Sequence, residues 1–416
     1  MRRSTIAMAC ATILAMVFST VMAFAEAQGN NFGGPGAVDN QIVADNAAKN
    51  ATIDKRLVQS WFDWKSALQE DHGIAVGMDY STVFLSASET GLSGEDAASS
   101  GMFRFYGSWD LNGRGSASTG GLVWKLESRH KYGNIPPSAL EFELGGVGLI
   151  TPSFSDQGGR VTNLYWRQRL NEGRITLVGG FLDATDYFDV FILASPWTGF
   201  MNFAFSTGTT TAFLPNDATL GFAAASMLSD KVYVIGGLTN AYANPEVPFR
   251  GFEQFGDGEY FTSLELGLTL SQGNIYHDNA HVTYWHVDES SLAGTPGGWG
   301  LNFQYVRHLG EKWLPFLRAG YADEGGSLMQ RSVSAGFGYK PAGSPHQLGV
   351  AANWGQVNES SFGTGLKDQY TYEVFYLLQL SEQFAVTPSA QLLKDAPNNP
   401  DHDSIWLWGV RARLAL

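Results

Sequence analysis

Cysteine is all but missing: the 416 residues contain one, Cys10. It lies inside an apolar run, Ile6 to Val21, that follows Arg2 and Arg3 and leads to the small residues Ala23, Ala25 and Ala27. That pattern is expected to be a secretory signal, residues 1–25, cleaved after Ala25 or Ala27; an uncleaved membrane anchor is the other reading. Cys10 has too little sequence before it, and no leucine three residues upstream, to be the acylated cysteine of a lipoprotein. The exported chain is thus expected to carry no disulfide, so something other than a covalent cross-link must close its fold. A cyclic hydrogen-bond ladder would do so.

Long apolar runs are missing too. Beyond the first 25 residues no window reaches the roughly eighteen uninterrupted apolar residues that a membrane helix needs, which excludes a helical inner-membrane protein. Charge is sparse, at 16% of residues, and acidic in balance: the formal net charge of -14 becomes -16 once Arg2 and Arg3 leave with the signal. Acidity on that scale argues against nucleic acid or an anionic surface as partner.

What the chain does have is 49 glycines, 13% aromatic residues and many short alternating runs, a composition suited to strands with aromatic girdles. The stretch from Asn163 to Val190 sets the pattern. Leu164 and Trp166 alternate with Arg167 and Arg169, Asn171-Glu172-Gly173 forms a tight turn, and a second limb runs from Ile175 to Asp183. This reads as a β-hairpin. One end of it is a short turn and the other opens into the long segment Ala184 to Asp217. The same contrast recurs along the chain, with long connections at Ala87 to Ser100, Lys131 to Arg160, Asn240 to Glu259, Val287 to Gly298, Gly355 to Asp368 and Lys394 to Asp403, and short ones between. Only Ala322 to Gly326 is short in a long position.

The predicted fold is therefore all-β: a transmembrane antiparallel β-barrel of about sixteen strands over residues 72–416, with short periplasmic turns and long extracellular loops. Before it lie a flexible linker, residues 26–53, rich in Gly, Asn, Ala and Asp without a period, and a short periplasmic amphipathic helix, residues 54–71. Asp54 caps that helix, and Leu57, Trp61, Trp64 and Leu68 form its apolar stripe.

NLYWRQRL, GRITLVGGFLDATDYFDV and SPWTGFMNFAFST, together with the ending AVTPSAQLLKDAPNNPDHDSIWLWGVRARLAL, resemble the carbohydrate-selective porin (OprB) family. The start WFDWKSALQEDHGIAVGMDY looks like the family's start, so the resemblance spans nearly all of Ser60 to Leu416. It implies a sixteen-stranded outer-membrane porin that passes glucose-like monosaccharides and related sugars through a lumen narrowed by inward-folded loops. The chain departs from the usual barrel ending in closing on Leu416 rather than an aromatic residue.

A sugar offers hydroxyls and flat apolar ring faces, so a sugar-passing pore needs charged or amide groups beside aromatic surfaces and must bind weakly enough to release. The inward candidates are Arg104, Lys125, Glu127, Arg129, Arg167, Arg169, Glu265, Arg318 and Glu373, each of which could equally be an ordinary polar wall residue. For the constriction, Ala184 to Asp217 is too apolar to be meant only for water and offers Asp186, Tyr187, Phe188, Asp189 and Trp197; Lys131 to Arg160, with Glu141, is the second such loop. The same aromatics could instead form a contact in a homo-oligomer. The spacing of Asp183, Asp186 and Asp189 fits no defined calcium loop. His281 and His286 point to opposite faces of a strand, against a zinc site. Small sugars and outer-membrane lipid are the expected partners, and no cofactor, metal or catalytic residue is assigned. The alternatives are a general porin without preference for sugar and an outer-membrane barrel hydrolase using His281 with Ser263 or Thr283.

Overall fold

Lipid cannot hydrogen-bond a peptide group, so a chain that crosses it in strands must pair every strand on both sides and leave no edge. A computed structural model describes residues 32–47, 49, 51, 53, 58–215 and 217–416, and in it that condition is met. Sixteen strands run in order around the wall: β1 Ile74–Ala87, β2 Ala97–Asn112, β3 Thr119–Lys131, β4 Gly158–Leu170, β5 Ile175–Leu182, β6 Thr219–Met227, β7 Val232–Asn240 and β8 Tyr260–Thr269, then β9 Asn279–Val287, β10 Gly298–Val306, β11 Trp313–Glu324, β12 Met329–Tyr339, β13 Gln347–Val357, β14 Gln369–Gln379, β15 Phe384–Lys394 and β16 Ser404–Ala415. Each pairs antiparallel with its neighbours in sequence, and β1 pairs with β16 from Asp79 opposite Ala415 to Ala87 opposite Leu407, which closes the barrel.

The period-two alternation decides which way each side chain points. On β3, Leu122 and Leu126 are exposed outward while Lys125, Glu127 and Arg129 are buried inside. On β8, Leu264 and Leu266 face out and Glu265 faces in; on β16, Trp406, Trp408 and Val410 face out and Arg411 and Arg413 face in. The outer wall is thus an apolar belt, and the charged side chains of these strands lie inside, beside apolar patches such as Phe261, Phe316 and Phe375. Among the described residues no helix is long and apolar enough to cross a membrane. The short connections, such as 171–174, 228–231 and 380–383, lie at one end, and the long ones, such as 132–157 and 183–218, at the other. The connection 325–328 is the short exception at the long-loop end.

Interior glycines accommodate interior rings. Tyr233 on β7 lies opposite Gly267 on β8, and a Cβ at Gly267 would meet the ring at 2.2 Å. The large buried ring therefore rests on bare backbone of the neighbouring strand, an inward counterpart of the aromatic covering of sheet glycines.

Two N-terminal expectations are modified. The expected signal, residues 1–25, lies outside the described residues, as do residues 26–31 of the expected linker and 54–57 of the expected helix. Within the linker stands a nine-residue helix, α1, Val38–Asn46, which lies inside the barrel. The later helix, α2, spans Gln59–His72 at the short-turn end; it buries Phe62 and Lys65, while Trp64 of the expected apolar stripe is exposed and packs tilted against Trp61 at 4.9 Å between ring centres. An apolar stripe is ordinarily a packing face, but α2 sits on the mouth of the barrel rather than on a core, so its outward side is under no demand to be polar throughout.

Replacing Gly267 by Ala should force Tyr233 from its place and cost about 1–3 kcal/mol. Gly236→Ala, whose added carbon would find its nearest atom at an ordinary 3.5 Å, should cost far less. Urea unfolding of both variants in lipid vesicles measures the difference.

Candidate functional site: the constricted lumen

The segment 183–218 between β5 and β6 does not stand above the barrel; it folds down into it. Its apolar residues explain why. Phe188, Phe191, Phe200 and Phe205 are fully buried, against Phe261, Phe316 and Phe375 of the wall, with Phe191–Phe316 at 5.1 Å and Phe200–Phe375 at 5.0 Å between centroids. Each such ring taken from water contributes roughly 1.5–3 kcal/mol. A segment with so little regular structure carries peptide groups that must find partners when buried, and the wall supplies them. Glu373 accepts the N–H groups of Met201 and Asn202 at 2.7 and 2.8 Å; Arg411 donates to the carbonyls of Pro196 and Gly199 at 2.6 and 3.0 Å; Arg318 donates to the carbonyl of Asp189 at 2.8 Å.

Asp189 is the central pin of this loop. Its carboxylate accepts from Arg318 at 2.5 Å, from His281 Nε2 at 2.8 Å and from the N–H of Gly208 at 2.8 Å. Burial alone would raise its pKa, but Arg318 and His281 hold it below the usual carboxylate range. Nearer the opening, Asp183 and Asp186 flank Lys125 at 3.6 and 3.5 Å, and Asn163 donates to Asp186 at 2.8 Å.

All nine inward candidates point into the barrel, yet they serve four different surroundings. Lys125, Glu127 and Arg129 line a cavity of about 320 Å³ at the long-loop end, together with Arg160, Trp197 and Asp217. There Arg129 bridges Glu127 at 2.5 Å and Asp217 at 3.0 Å, and Arg160 reaches Asp217 at 3.0 Å. Arg167 and Arg169 line a larger cavity of about 890 Å³ at the short-turn end, and both bind Asp39 of α1. Arg104 lies between the two, fully buried, with its guanidinium 3.6 Å over the Trp197 ring and bonded to Asp79 and Gln41.

Glu265, Arg318 and Glu373, expected on the open lumen, are instead covered by the folded loop. Glu265 accepts from Tyr233, Thr283 and the N–H of Asp189. The alternation places these three inside correctly; it carries no information on whether a loop then lies over them. Among the loop candidates, Trp197 faces the cavity and Asp186 borders it, whereas Tyr187 and Phe188 turn to the wall, Tyr187 against Gly237 and Phe188 against Phe261. Asp183, Asp186 and Asp189 are taken up by Lys125, Arg318 and His281, and no cluster suited to a metal ion occurs among the described residues. The second loop joins in through the short helix α3, Pro137–Glu143: Glu141 accepts from Asn202 of the first loop at 3.0 Å and from Gln369 of β14 at 3.0 Å. Burial pushes the Glu141 carboxyl up to about 7, against the lowering effect of those two bonds.

Several residues of the site are missing from the candidates that the sequence supplies. Arg411 and Arg413 share the inward face with the candidate arginines, and the same alternation marks them. Arg160 lies at a strand start that the sequence pattern assigns to a loop. Asp39, Gln41 and Asp45 on α1 carry no signal, because VDNQIVADN shows no apolar period.

A family model described as carbohydrate-selective porin, OprB family, matches residues 94–308. Among solved structures, the high-pH structure of Pseudomonas putida OprB is similar with a TM-score of 0.68 at 13% identity, covering 89% of this chain and 100% of that one. The low-pH structure of the same protein gives a TM-score of 0.53 at 12% identity, covering 88% and 100%. A mutant of the Rh. blastica porin gives 0.52 at 12% identity, covering 82% and 100%. At such identities the likeness is one of fold. No curated protein sequence matches the chain.

The raised pKa of Glu141 has a definite sign. An acid that ionises less readily when docked supports docking fully below its ordinary pKa of 4.5, and that support is lost as pH rises to about 7. Channel conductance should therefore increase between pH 5 and pH 8 as the contact between the two loops loosens, and Glu141→Gln should flatten that dependence.

Proposed function

The chain belongs to the carbohydrate-selective porin, OprB, family, and from that premise we propose which of its groups select the sugar. It is a β-barrel porin of the outer membrane through which small carbohydrates diffuse. The observation that carries the finer reading is the cavity of about 320 Å³ at the constriction, where Lys125, Glu127 and Arg129 stand beside Trp197. Paired cations and carboxylates offer donors and acceptors side by side, the arrangement that a ring of hydroxyls can satisfy. Trp197, buried with the Arg104 guanidinium 3.6 Å over its ring, adds an apolar edge to that cavity. A monosaccharide meets both at once; a simple inorganic ion meets only the first.

The charges are already paired with each other, so an entering sugar exchanges one set of hydrogen bonds for another and gains little net energy. Weak binding of that kind is what lets a channel release its solute. The narrowness of the constriction favours selective over general diffusion. Passive transport rather than hydrolysis fits the surroundings of His281: its Nε2 is occupied by Asp189, its Nδ1 lies 3.2 Å from the Tyr233 hydroxyl, which itself donates to Glu265, and the hydroxyl of Thr283 is directed to Glu265, so Thr283 is not paired with that imidazole as a nucleophile would be. The aromatic residues of the 183–218 loop are used inside the barrel, which leaves the outer belt to lipid and removes the subunit contact they would otherwise offer.

Trp197→Ala should weaken the block of ion current by glucose about 2- to 10-fold, the range expected from loss of one stacking contact. Glucose should pass faster than maltose or sucrose in liposome swelling. Replacing 184–217 by a short turn should raise single-channel conductance and erase that difference.

A further inference from the structure

The helix α1 and the residues before it stand in the solute path. Pro35 and Gly36 border the outer cavity of about 320 Å³, while Asp39, Ile42 and Val43 border the inner one of about 890 Å³. Residues 35–43 are thus part of the partition between two chambers, each of a size that holds small ligands. The contacts that keep them there are mostly polar and reach several strands. Asp39 is bound by Arg167 and Arg169, Gln41 by Arg104 at 2.9 Å, and Asp45 by Arg413 through two bonds of 2.8 Å and by Tyr106. Above the helix, the N–H of Gly34 donates to the carbonyl of Asp186 in the constriction loop at 2.6 Å. The apolar part of the contact is Val38 and Ile42 against Tyr106 and Val123, and Phe32 in the cluster that holds Tyr187, Phe188 and Val190.

We propose that residues 32–46 form an autoinhibitory plug, and that sugar crosses this porin only when the plug withdraws from the lumen toward the periplasmic end. The proposal rests on the porin reading above. Three properties of the segment suit it to leaving. Nine residues are too few for a stable isolated helix, and Asp, Asn, Val and Ile are weak helix formers, so α1 gains chain entropy on release. Its N-cap, Ala37, provides no side-chain bond to the first turn. Its ion pairs are desolvated in place and hydrated outside, which brings the net strength of such pairs near zero. The exit is also provided: after α1 the chain passes the short turn 380–383, where Lys49 donates to the carbonyl of Glu382 at 3.2 Å and Ile53 to that of Leu380 at 2.8 Å, before reaching α2 at the barrel mouth.

A reversible lock tests this in the full chain. A Cβ at Gly34 would lie 3.1 Å from the Cβ of Val190 in the constriction loop, a few tenths of an ångström short of the range that a disulfide spans, so a small shift of the segment lets it form, and Cys10 is the chain's one natural cysteine. G34C/V190C, oxidised, should conduct at least several-fold less in planar bilayers than the same protein after reduction. Asp39→Asn, which releases Arg167 and Arg169, should raise mean conductance and glucose flux above the unaltered chain. Equal conductance of the oxidised and reduced double variant, with the disulfide confirmed by mass spectrometry, overturns the plug and leaves the porin standing. Silence of the unaltered chain, the reduced variant and Asp39→Asn alike overturns the porin reading and the plug with it.

Discussion

Cations fixed to the wall meet carboxylates brought in by segments that are not wall, and the interior of this protein is arranged around that meeting. Arg318 takes Asp189, Lys125 takes Asp183 and Asp186, Arg129 takes Asp217, Arg167 takes Asp39, and Arg413 takes Asp45. A barrel of sixteen strands is wide enough to be an open tube. What makes it a filter is that each pair fixes a stretch of loop or N-terminal chain at a chosen depth. The asymmetry of buried pairs reinforces this: removing one partner strands a charge at a cost of about 3–5 kcal/mol, although the intact pair contributes little net stability. Position is gained without strong adhesion, and a narrow pore through which solutes must keep moving requires that combination.

How much of each segment can be read from its residues depends on which solvent the segment answers to. The strands answer to lipid on one side and to a polar interior on the other, so their alternation is legible for all sixteen, including the odd short connection at 325–328. The 183–218 loop answers to an apolar patch of the interior; its excess of aromatic residues marks it as a segment not meant only for water, but inward folding and a subunit contact read alike in those residues. Helix α1 answers mainly to Arg104, Arg167, Arg413 and Tyr106, a polar surface. Its polar residues are therefore its packing residues, and reading by apolar period passes over it. Glu265, Arg318 and Glu373 fail in the complementary way: their direction is plain from register, but the loop that covers them comes from more than forty residues away in the chain, and strand pattern says nothing of it.

The constriction and the wall thus make separate demands on the chain. The wall needs only alternation and small residues where rings must lie, as at Gly267 beneath Tyr233, and many sequences satisfy that. The constriction needs particular partners: Glu373 beneath the N–H groups of Met201 and Asn202, Arg411 beneath Pro196 and Gly199, Glu141 joining two loops to β14. A change in the first set strains the wall; a change in the second frees the segments that occupy the lumen.

The sign of the charge on α1 has an electrical consequence. Asp39 and Asp45 give the segment two negative charges, and moving one elementary charge through 100 mV is worth about 2.3 kcal/mol. Any Donnan voltage that makes the periplasm negative drives such a segment outward, deeper into the barrel, and dilute surroundings, which enlarge that voltage, strengthen the drive.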